Sequence, residues 1–233
     1  MIAETTLRRI QANWPSVVHE VRQAAQAAGR GEDEIRIVGV TKYVDLETTA
    51  ALVAAGCTDL GESRPQLLCE KAADLVSSCP VRWHLIGPLQ RNKVRRTLQA
   101  ASVIHSIDNV KLLKYLDAIA GELGAAPQVL VEVNISGDAN KHGFSADELL
   151  HAATVLCELQ HARPVGLMGM AGLESDSAQA QREFAALRRL RDRLVQHTGL
   201  ALPELSMGMS GDFAEAIAEG STMVRIGSRL FAT

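Results

Sequence analysis

"IRIVGVTKYVD", residues Ile35 to Asp45, is an almost unbroken apolar run that ends in a lysine. A run of that kind is the pattern of a strand buried on both faces, as in a parallel sheet covered by helices. The pattern returns downstream in "DLGE", "WHLIG", "VIHSI", "VLVEVNIS", "PVGLMGM", "ELSMG" and "MVRIG". Between these lie segments of helical period such as Leu46 to Ala55, Arg91 to Ala100, Val110 to Leu123, Ala146 to Leu159, Gln179 to His197 and Phe213 to Glu219. Strand and helix alternating eight times predict a parallel sheet with helical crossovers. In a chain of 233 residues that is an α/β fold of the (β/α)8 TIM barrel type, with an open doubly wound sheet as the runner-up. An amphipathic helix over Ala3 to Ala28, broken at Pro15, precedes the first strand. No linker, repeat or low-complexity tract divides the chain, so residues 1–233 read as a single domain.

Composition narrows the function classes. Hydrophobic residues make up 47% and charged residues 22%, and no apolar run approaches the length of a membrane span. The N-terminus mixes charges early and does not read as a signal peptide, so a cytoplasmic location is expected. A net charge of -3 and 3% aromatic residues offer nucleic acid neither a field nor stacking partners. The basic stretch "RNKVRR", Arg91 to Arg96, reads as a solvated helix face. Cys57, Cys69, Cys79 and Cys157 have no Cys-x-x-Cys spacing and no suitably spaced His, so they signal neither a disulfide framework nor a metal site.

In a barrel, functional side chains sit at the C-terminal ends of strands or in the loops just after them. Lys42, Glu62, Ser63, Gly87 and Asn134 all fall there. After the seventh strand, Ser210 is placed to cap a helix whose first amides, at Gly211, Asp212 and Phe213, would attract an anion; that helix ends at Gly220. Gly227 and Ser228, after the eighth, offer a bare backbone and a hydroxyl for the same purpose. Each also has a plain structural reading, as a helix cap and a turn. Asp212 would repel a phosphate unless its carboxylate points away. In "TMVRIG" the period of two sets Arg225 on the face opposite Val224 and Ile226, hence inside the barrel. There it is either a buried ion pair, with Glu132, or a fixed donor aimed at a ligand. Lys42 is likewise either a snorkelling strand end or a desolvated amine suited to capturing an aldehyde. A reactive lysine, a phosphate cradle and a ring-nitrogen donor together match pyridoxal 5'-phosphate.

From about Arg36 to Phe231 the chain resembles the pyridoxal phosphate homeostasis protein family (YggS/PROSC). The motifs that carry the resemblance, in order, are "VGVTKY", "GES", "WHLIGPLQRNK", "SID", "VNIS", "GLMGM", "LSMGMSGDFAEAI" and "GSTMVRIGSRLF". It implies a barrel similar to the N-terminal domain of alanine racemase (the fold type III arrangement for this cofactor), preceded by an extra helix. It further implies a covalent aldimine on Lys42, with Ser206, Met209 and Ser210 around the cofactor and its phosphate, Gly227 and Ser228 completing the phosphate site, His84 beside the cofactor and Arg225 facing the pyridine nitrogen. Taken alone, a lone strand histidine such as His84 reads as a satisfied core residue. Where the family usually reads Gly-Glu-Asn, this chain reads Gly61, Glu62, Ser63, and a serine cannot reproduce an amide's donor and acceptor pair.

The resemblance implies a carrier or buffer that maintains cellular pyridoxal phosphate without established turnover, with apoenzymes that use the cofactor as partners. The alternative is an amino acid racemase. Racemases of this barrel type take a tyrosine from a second domain of the partner subunit. Here only Tyr43 and Tyr115 exist, and strand alternation points Tyr43 away from Lys42. The missing second domain removes the usual racemase dimer contacts, so a monomer is expected. A phosphosugar-type barrel without cofactor would explain the cradle but leave Lys42 and Arg225 unassigned.

Overall fold

In the computed structural model, which describes residues 4–75, 80–138 and 142–232, eight parallel strands close into a barrel in sequence order. Cys79 lies outside the described residues. The strands are β1 (Arg36–Val40), β2 (Asp59–Glu62), β3 (Arg82–Leu85), β4 (Val103–Ile107), β5 (Gln128–Val133), β6 (Arg163–Gly169), β7 (Glu204–Met209) and β8 (Met223–Ile226). The barrel is closed where β8 pairs with β1, Arg36 opposite Met223 and Val38 opposite Arg225. The open doubly wound alternative is thereby excluded.

The helices form where caps and apolar faces permit. Asp45, the last residue of the opening stretch, accepts the Thr48 amide at 2.8 Å and starts α2 (Leu46–Ala54). Pro65 occupies the first turn of α3 (Pro65–Asp74), where its missing N–H costs nothing. A short 3-10 turn leads into α4 (Val94–Leu98). Asn109 caps α5 (Val110–Leu123), which ends on a left-handed Gly124. The helix expected over Ala146 to Leu159 is two, α6 (Ala146–His151) and α7 (Ala153–Glu158), with Ala152 between them. Asp176 caps α8 (Ser177–Thr198), and α9 (Phe213–Ala218) and α10 (Ser228–Phe231) follow β7 and β8. The basic stretch is a helix face tied to α5. Arg91 lies 4.5 Å from the Tyr115 ring centroid, and Arg95 pairs with Glu122.

The first helix, α1 (Glu4–Ala27), runs unbroken through Pro15, against the break that proline predicts. Pro15 and Gln11 are exposed, so the Gln11 carbonyl that loses its partner meets water, while Ile10, Val17, Val21 and Ala25 stay buried on the other face. From the middle of the same helix, Asn13 donates to the carbonyls of Leu230 and Ala232 at 3.2 and 3.1 Å. It thereby satisfies carbonyls at the end of α10 that would otherwise be orphaned.

Strand alternation separates two interiors. Outward side chains such as Leu60, Trp83, Ile104, Leu205, Val224 and Ile226 join the helices in the main core. Inside the barrel, Val103, Leu130 and Met168 form a small apolar plug. Val38 and Met223 are also buried on the inward faces of β1 and β8, and polar side chains fill much of the remaining interior. At the N-terminal ends of the strands, Arg36 meets Glu204 at 3.3 Å and Asp59 at 3.8 Å, and Arg82 meets Asp59 at 3.9 Å.

Gly208, late in β7, has φ +92, and a Cβ there would stand 2.6 Å from the Ala216 Cβ and 3.0 Å from the Phe213 Cα. Gly208→Ala is therefore expected to cost about 2–4 kcal/mol, combining backbone strain with overpacking against α9. Urea denaturation checks this, and an unmoved midpoint would show that α9 yields freely.

Candidate functional site

The C-terminal mouth of the barrel gathers three loops from neighbouring strands. The β7–α9 loop brings Ser210 and Gly211, Gly227 after β8 leads into Ser228 at the start of α10, and the turn after β1 brings Lys42. Two of them are hydrogen-bonded together, because the Gly227 amide donates to Ser210 Oγ at 3.3 Å. Gly227 also lies against β1, where a Cβ would come 3.4 Å from that of Val40.

Ser210 is thus not the helix cap its position predicted. Asp212 occupies the cap position of α9 and turns its carboxylate back to accept the Met209 amide at 2.6 Å. That frees Ser210 to link the two loops, and it commits the Asp212 carboxylate to its own loop. Met209 is 39% exposed at the rim.

Lys42 lies beyond the strand, in an exposed turn, with Nζ 4.9 Å from the Tyr43 ring centroid. Two expectations are corrected here. The lysine is not packed among apolar neighbours, and Tyr43 does not point away from it, because strand alternation ends at Val40 and does not govern a turn. The turn itself is fixed from below. Lys71 of α3 donates to the carbonyls of Thr41 and Val44, both at 2.8 Å, and to Glu62 Oε1 at 2.6 Å. Thr41 Oγ1 donates to the same carboxylate oxygen at 2.7 Å, while Glu62 Oε2 is buried without a partner among the described residues. Beside it, the backbone of Ser63 packs so closely on Gly87 that a Cβ there would fall 2.3 Å from the Ser63 carbonyl oxygen.

Arg225 points into the barrel as its period predicts and is 4% exposed. One guanidinium nitrogen, Nη1, donates to the Ser206 carbonyl at 2.7 Å and to Ser206 Oγ at 2.6 Å, and Nη2 donates to the Gly169 carbonyl at 3.0 Å. Among the described residues no partner takes its remaining N–H groups. Burial lowers its pKa to about 10, against the pull of Asp212 and Glu132, so it stays charged at neutral pH. Glu132 acts on it through space and is not bonded to it, which removes the ion-pair reading. The Glu132 carboxyl is itself pushed up, first by burial and then by the charge of Asp108.

His84 and Ser206 lie deeper than expected. His84 is fully buried and engages Asp59 Oδ1 through Nε2 and His105 Nε2 through Nδ1, each at 2.9 Å. Both ring nitrogens are occupied, so His84 is a satisfied core residue and has no polar atom left for a ligand. Ser206, also fully buried, holds Arg225 from beneath and contacts His105 Nδ1 at 2.9 Å. The sequence reading missed His105, Asp59 and Lys71. His105 carried a legible signal, being in phase with inward Val103 in "VIHSI".

A barrel with these mouth loops falls in a recognised class: the family model for the alanine racemase N-terminal domain matches residues 13–233. The pyridoxal phosphate homeostasis protein of Synechocystis is 39% identical over 197 residues, covering 84% of this chain and 90% of that protein. Its counterpart in Deinococcus radiodurans is 39% identical over 221 residues, covering 94% and 99%. The chain belongs to the pyridoxal phosphate homeostasis protein family. Among solved structures, PipY of Synechococcus elongatus with pyridoxal phosphate bound aligns with a TM-score of 0.86 at 32% identity, over 96% of this chain and all of that one. An alanine racemase of Clostridium difficile, at 15% identity and a TM-score of 0.74 over 57% of its own length, shares the fold alone. Among the described residues no helix is long and apolar enough to cross a membrane.

Two measurements test this geometry. Lys71→Met should cost about 3–5 kcal/mol by stranding the Glu62 carboxylate, and adding Glu62→Leu should recover most of it; a mild single variant would mean the pair is dispensable. The second concerns the histidines. Burial, the largest cause for each, lowers both pKa values below the ordinary 6.5, that of His105 further helped down by His84, Arg225 and Arg36. At His84 the Asp59 bond and charge oppose the shift, with Arg36 and Arg82 adding to it. The folded state refuses protons that the unfolded chain accepts, so their contribution is intact above about pH 6.5 and is lost as pH falls towards the folded values. The slope there should approach about 1.4 kcal/mol per pH unit for each ring. Desolvation would raise Asp59, but His84, Arg36 and Arg82 hold it below its ordinary 3.8, so its own loss comes only at more acid pH. Urea midpoints at about pH 7.5 and 5.5 decide the matter; a flat profile would contradict neutral rings.

Proposed function

We propose that this chain binds pyridoxal 5'-phosphate at the barrel mouth and carries or buffers it, maintaining the cellular supply of the cofactor. The observation that carries the reading is the placement, on the adjacent strands β7, β8 and β1, of a hydroxyl and amide cradle, a buried donor and an exposed primary amine. The donor set fits the group. Ser210, Gly211 and Ser228 offer hydroxyls and backbone amides to a phosphate, Gly227 leaves the space beside them free of a side chain, and Asp212 is turned into its own loop. Arg225 has unspent N–H groups and no acceptor, which suits a pyridine nitrogen that carries no proton. Lys42 sits in the pinned turn after β1, the strand that pairs with β8. When bound, pyridoxal phosphate supplies an aldehyde that a primary amine can capture and a ring that can accept negative charge. The relatives named as homeostasis proteins, and the pyridoxal phosphate-bound PipY, support the same reading.

In this reading Ser210 and Gly227 hold the phosphate-binding loops in register, Ser228 adds a hydroxyl, and Met209 forms part of the rim. Ser206 acts through Arg225, and His84 stays in the core. A carrier needs no second acid or base facing Lys42, whereas a racemase does. Tyr43 is 87% exposed against Lys42 itself, and Tyr115 lies under Arg91 on α5. We read residues 1–233 as one cofactor-binding domain, acting as a cytoplasmic monomer that supplies apoenzymes and has no turnover of its own.

Purified protein mixed with pyridoxal phosphate is expected to show a near-visible absorption band, and borohydride reduction should leave a mass label on Lys42. Lys42→Ala should lose band and label while keeping its circular dichroism. A wild type with neither would defeat the reading, and amino acid turnover at enzyme-like rates would replace the carrier with the racemase.

A further inference from the structure

A single file of polar side chains crosses the barrel interior from its N-terminal end to Arg225. Asp59 Oδ1 meets His84 Nε2, His84 Nδ1 meets His105 Nε2, and His105 Nδ1 meets Ser206 Oγ, each at 2.9 Å; Ser206 Oγ meets Arg225 Nη1 at 2.6 Å. The file is inaccessible to solvent over its middle three members. Its two ends fix the direction of every bond. A guanidinium only donates and a carboxylate only accepts.

Ser206 Oγ therefore accepts from Arg225 and has one hydrogen to give, which goes to His105 Nδ1. A neutral His105 then carries its proton on Nε2 and donates to His84 Nδ1, and His84 carries its proton on Nε2 and donates to Asp59. With both rings neutral, this is the one arrangement in which every hydrogen has an acceptor. Adding a proton reverses it. An imidazolium at His84 donates from Nδ1 to His105, His105 donates to Ser206, and the Ser206 hydrogen is left without a place in the file. A second positive charge also enters beside Arg225.

We propose that Asp59, His84, His105 and Ser206 form a one-way hydrogen-bond relay whose role is to hold Arg225 in register as a donor to the ligand ring. This rests on the reading of the mouth as a pyridoxal phosphate site. His105 and Ser206 are positioning residues acting through Arg225, and Asp59 anchors the relay from the opposite end of the barrel. Neutral relay histidines favour the ligand, and their protonation weakens its hold. The charged groups facing the histidines are Asp59 of β2, Arg36 of β1, Arg82 of β3 and Arg225 of β8, with Glu204 of β7 paired to Arg36. The three arginines and Asp59 oppose one another, so the rings sit between competing fields.

The relay can be tested with and without ligand. In the ligand-free protein, nitrogen-15 imidazole spectra at about pH 7.5 should show both rings neutral with the proton on Nε2; an Nδ1–H form of either would overturn the relay. For the loaded protein, the pyridoxal phosphate dissociation constant and absorption maximum would be followed between about pH 8 and 5.5. His105→Phe, which cannot accept from Ser206, should weaken binding about tenfold and shift the absorption maximum. His105→Gln, with an acceptor and a donor of its own, should restore both at neutral pH and remove part of the wild-type weakening on acidification. Equal affinity and spectrum in His105→Phe and wild type would overturn the proposal. Should His105→Phe not fold, Asp59→Asn decides: loss of the anchoring charge should weaken binding in the same direction, and unchanged binding would count against it. Wild-type protein that binds no pyridoxal phosphate would refute the functional reading, while the imidazole spectra would still decide the relay.

Discussion

Arg225 is an expensive side chain to bury, and the strands around it are arranged to meet that cost. A guanidinium removed from water without partners destabilises a protein by several kcal/mol. Here it donates to Ser206 on β7 and to the Gly169 carbonyl on β6, so three consecutive strands are tied through one residue. A slip of β8 by one position would send Arg225 into the apolar layer beneath the helices and bring Val224 inside. The register of the seam, with Val38 opposite Arg225, is therefore enforced from the interior as well as by the backbone ladder.

The seam matters because the mouth is assembled across it. β7, β8 and β1 are neighbours in the closed sheet, and their loops supply Ser210, Gly227 and Lys42. Each loop has its own fastening. Asp212 closes the first, Ser210 links it to the second, and Lys71 with Glu62 holds the turn that carries Lys42. From outside, α1 braces the end of α10 through Asn13, so the N-terminal helix supports the loop that precedes α10. At the opposite end of the barrel, the strand starts of β1, β2, β3 and β7 carry the ion-pair row of Arg36, Asp59, Arg82 and Glu204.

The eight strands and the inward face of Arg225 were legible because both follow from the period of two and from helices that return each strand in the same direction. The placement of Lys42 just past β1 followed from the same rule. What failed depended on neighbours distant in sequence. Ser210 looked like a cap, but Asp212 was free to turn back to Met209 and Ser210 was drawn to Gly227, 17 residues on. His84 reads from its own strand as a satisfied core residue, and its partners Asp59 and His105 are brought to it only by the adjacent strands. Pro15 predicts a break because its local cost is visible in sequence, whereas the buried face opposite it is not. Alternation predicts that Tyr43 points away from Lys42, but no strand remains there to impose it.

The division between buried and exposed groups bears on why a carrier, more than a tight cofactor enzyme, suits this mouth. Arg225 is fixed before any ligand arrives, so recognition of a ring acceptor requires little further ordering of that side chain. Lys42 is exposed, and fixing its side chain costs up to about 2 kcal/mol in rotamer freedom. Leaving Tyr43 forfeits a cation–π contact worth about 0.5–1 kcal/mol at an exposed site. Both effects weaken covalent capture relative to a lysine already packed in place, and neither touches the cradle or Arg225. Under the proposed function, retention would rest on the preset contacts, and a link through Lys42 would be the part most easily undone. Keeping a reactive aldehyde from free solution and giving it up again would then fall to different groups, the first to the cradle and Arg225 and the second to Lys42.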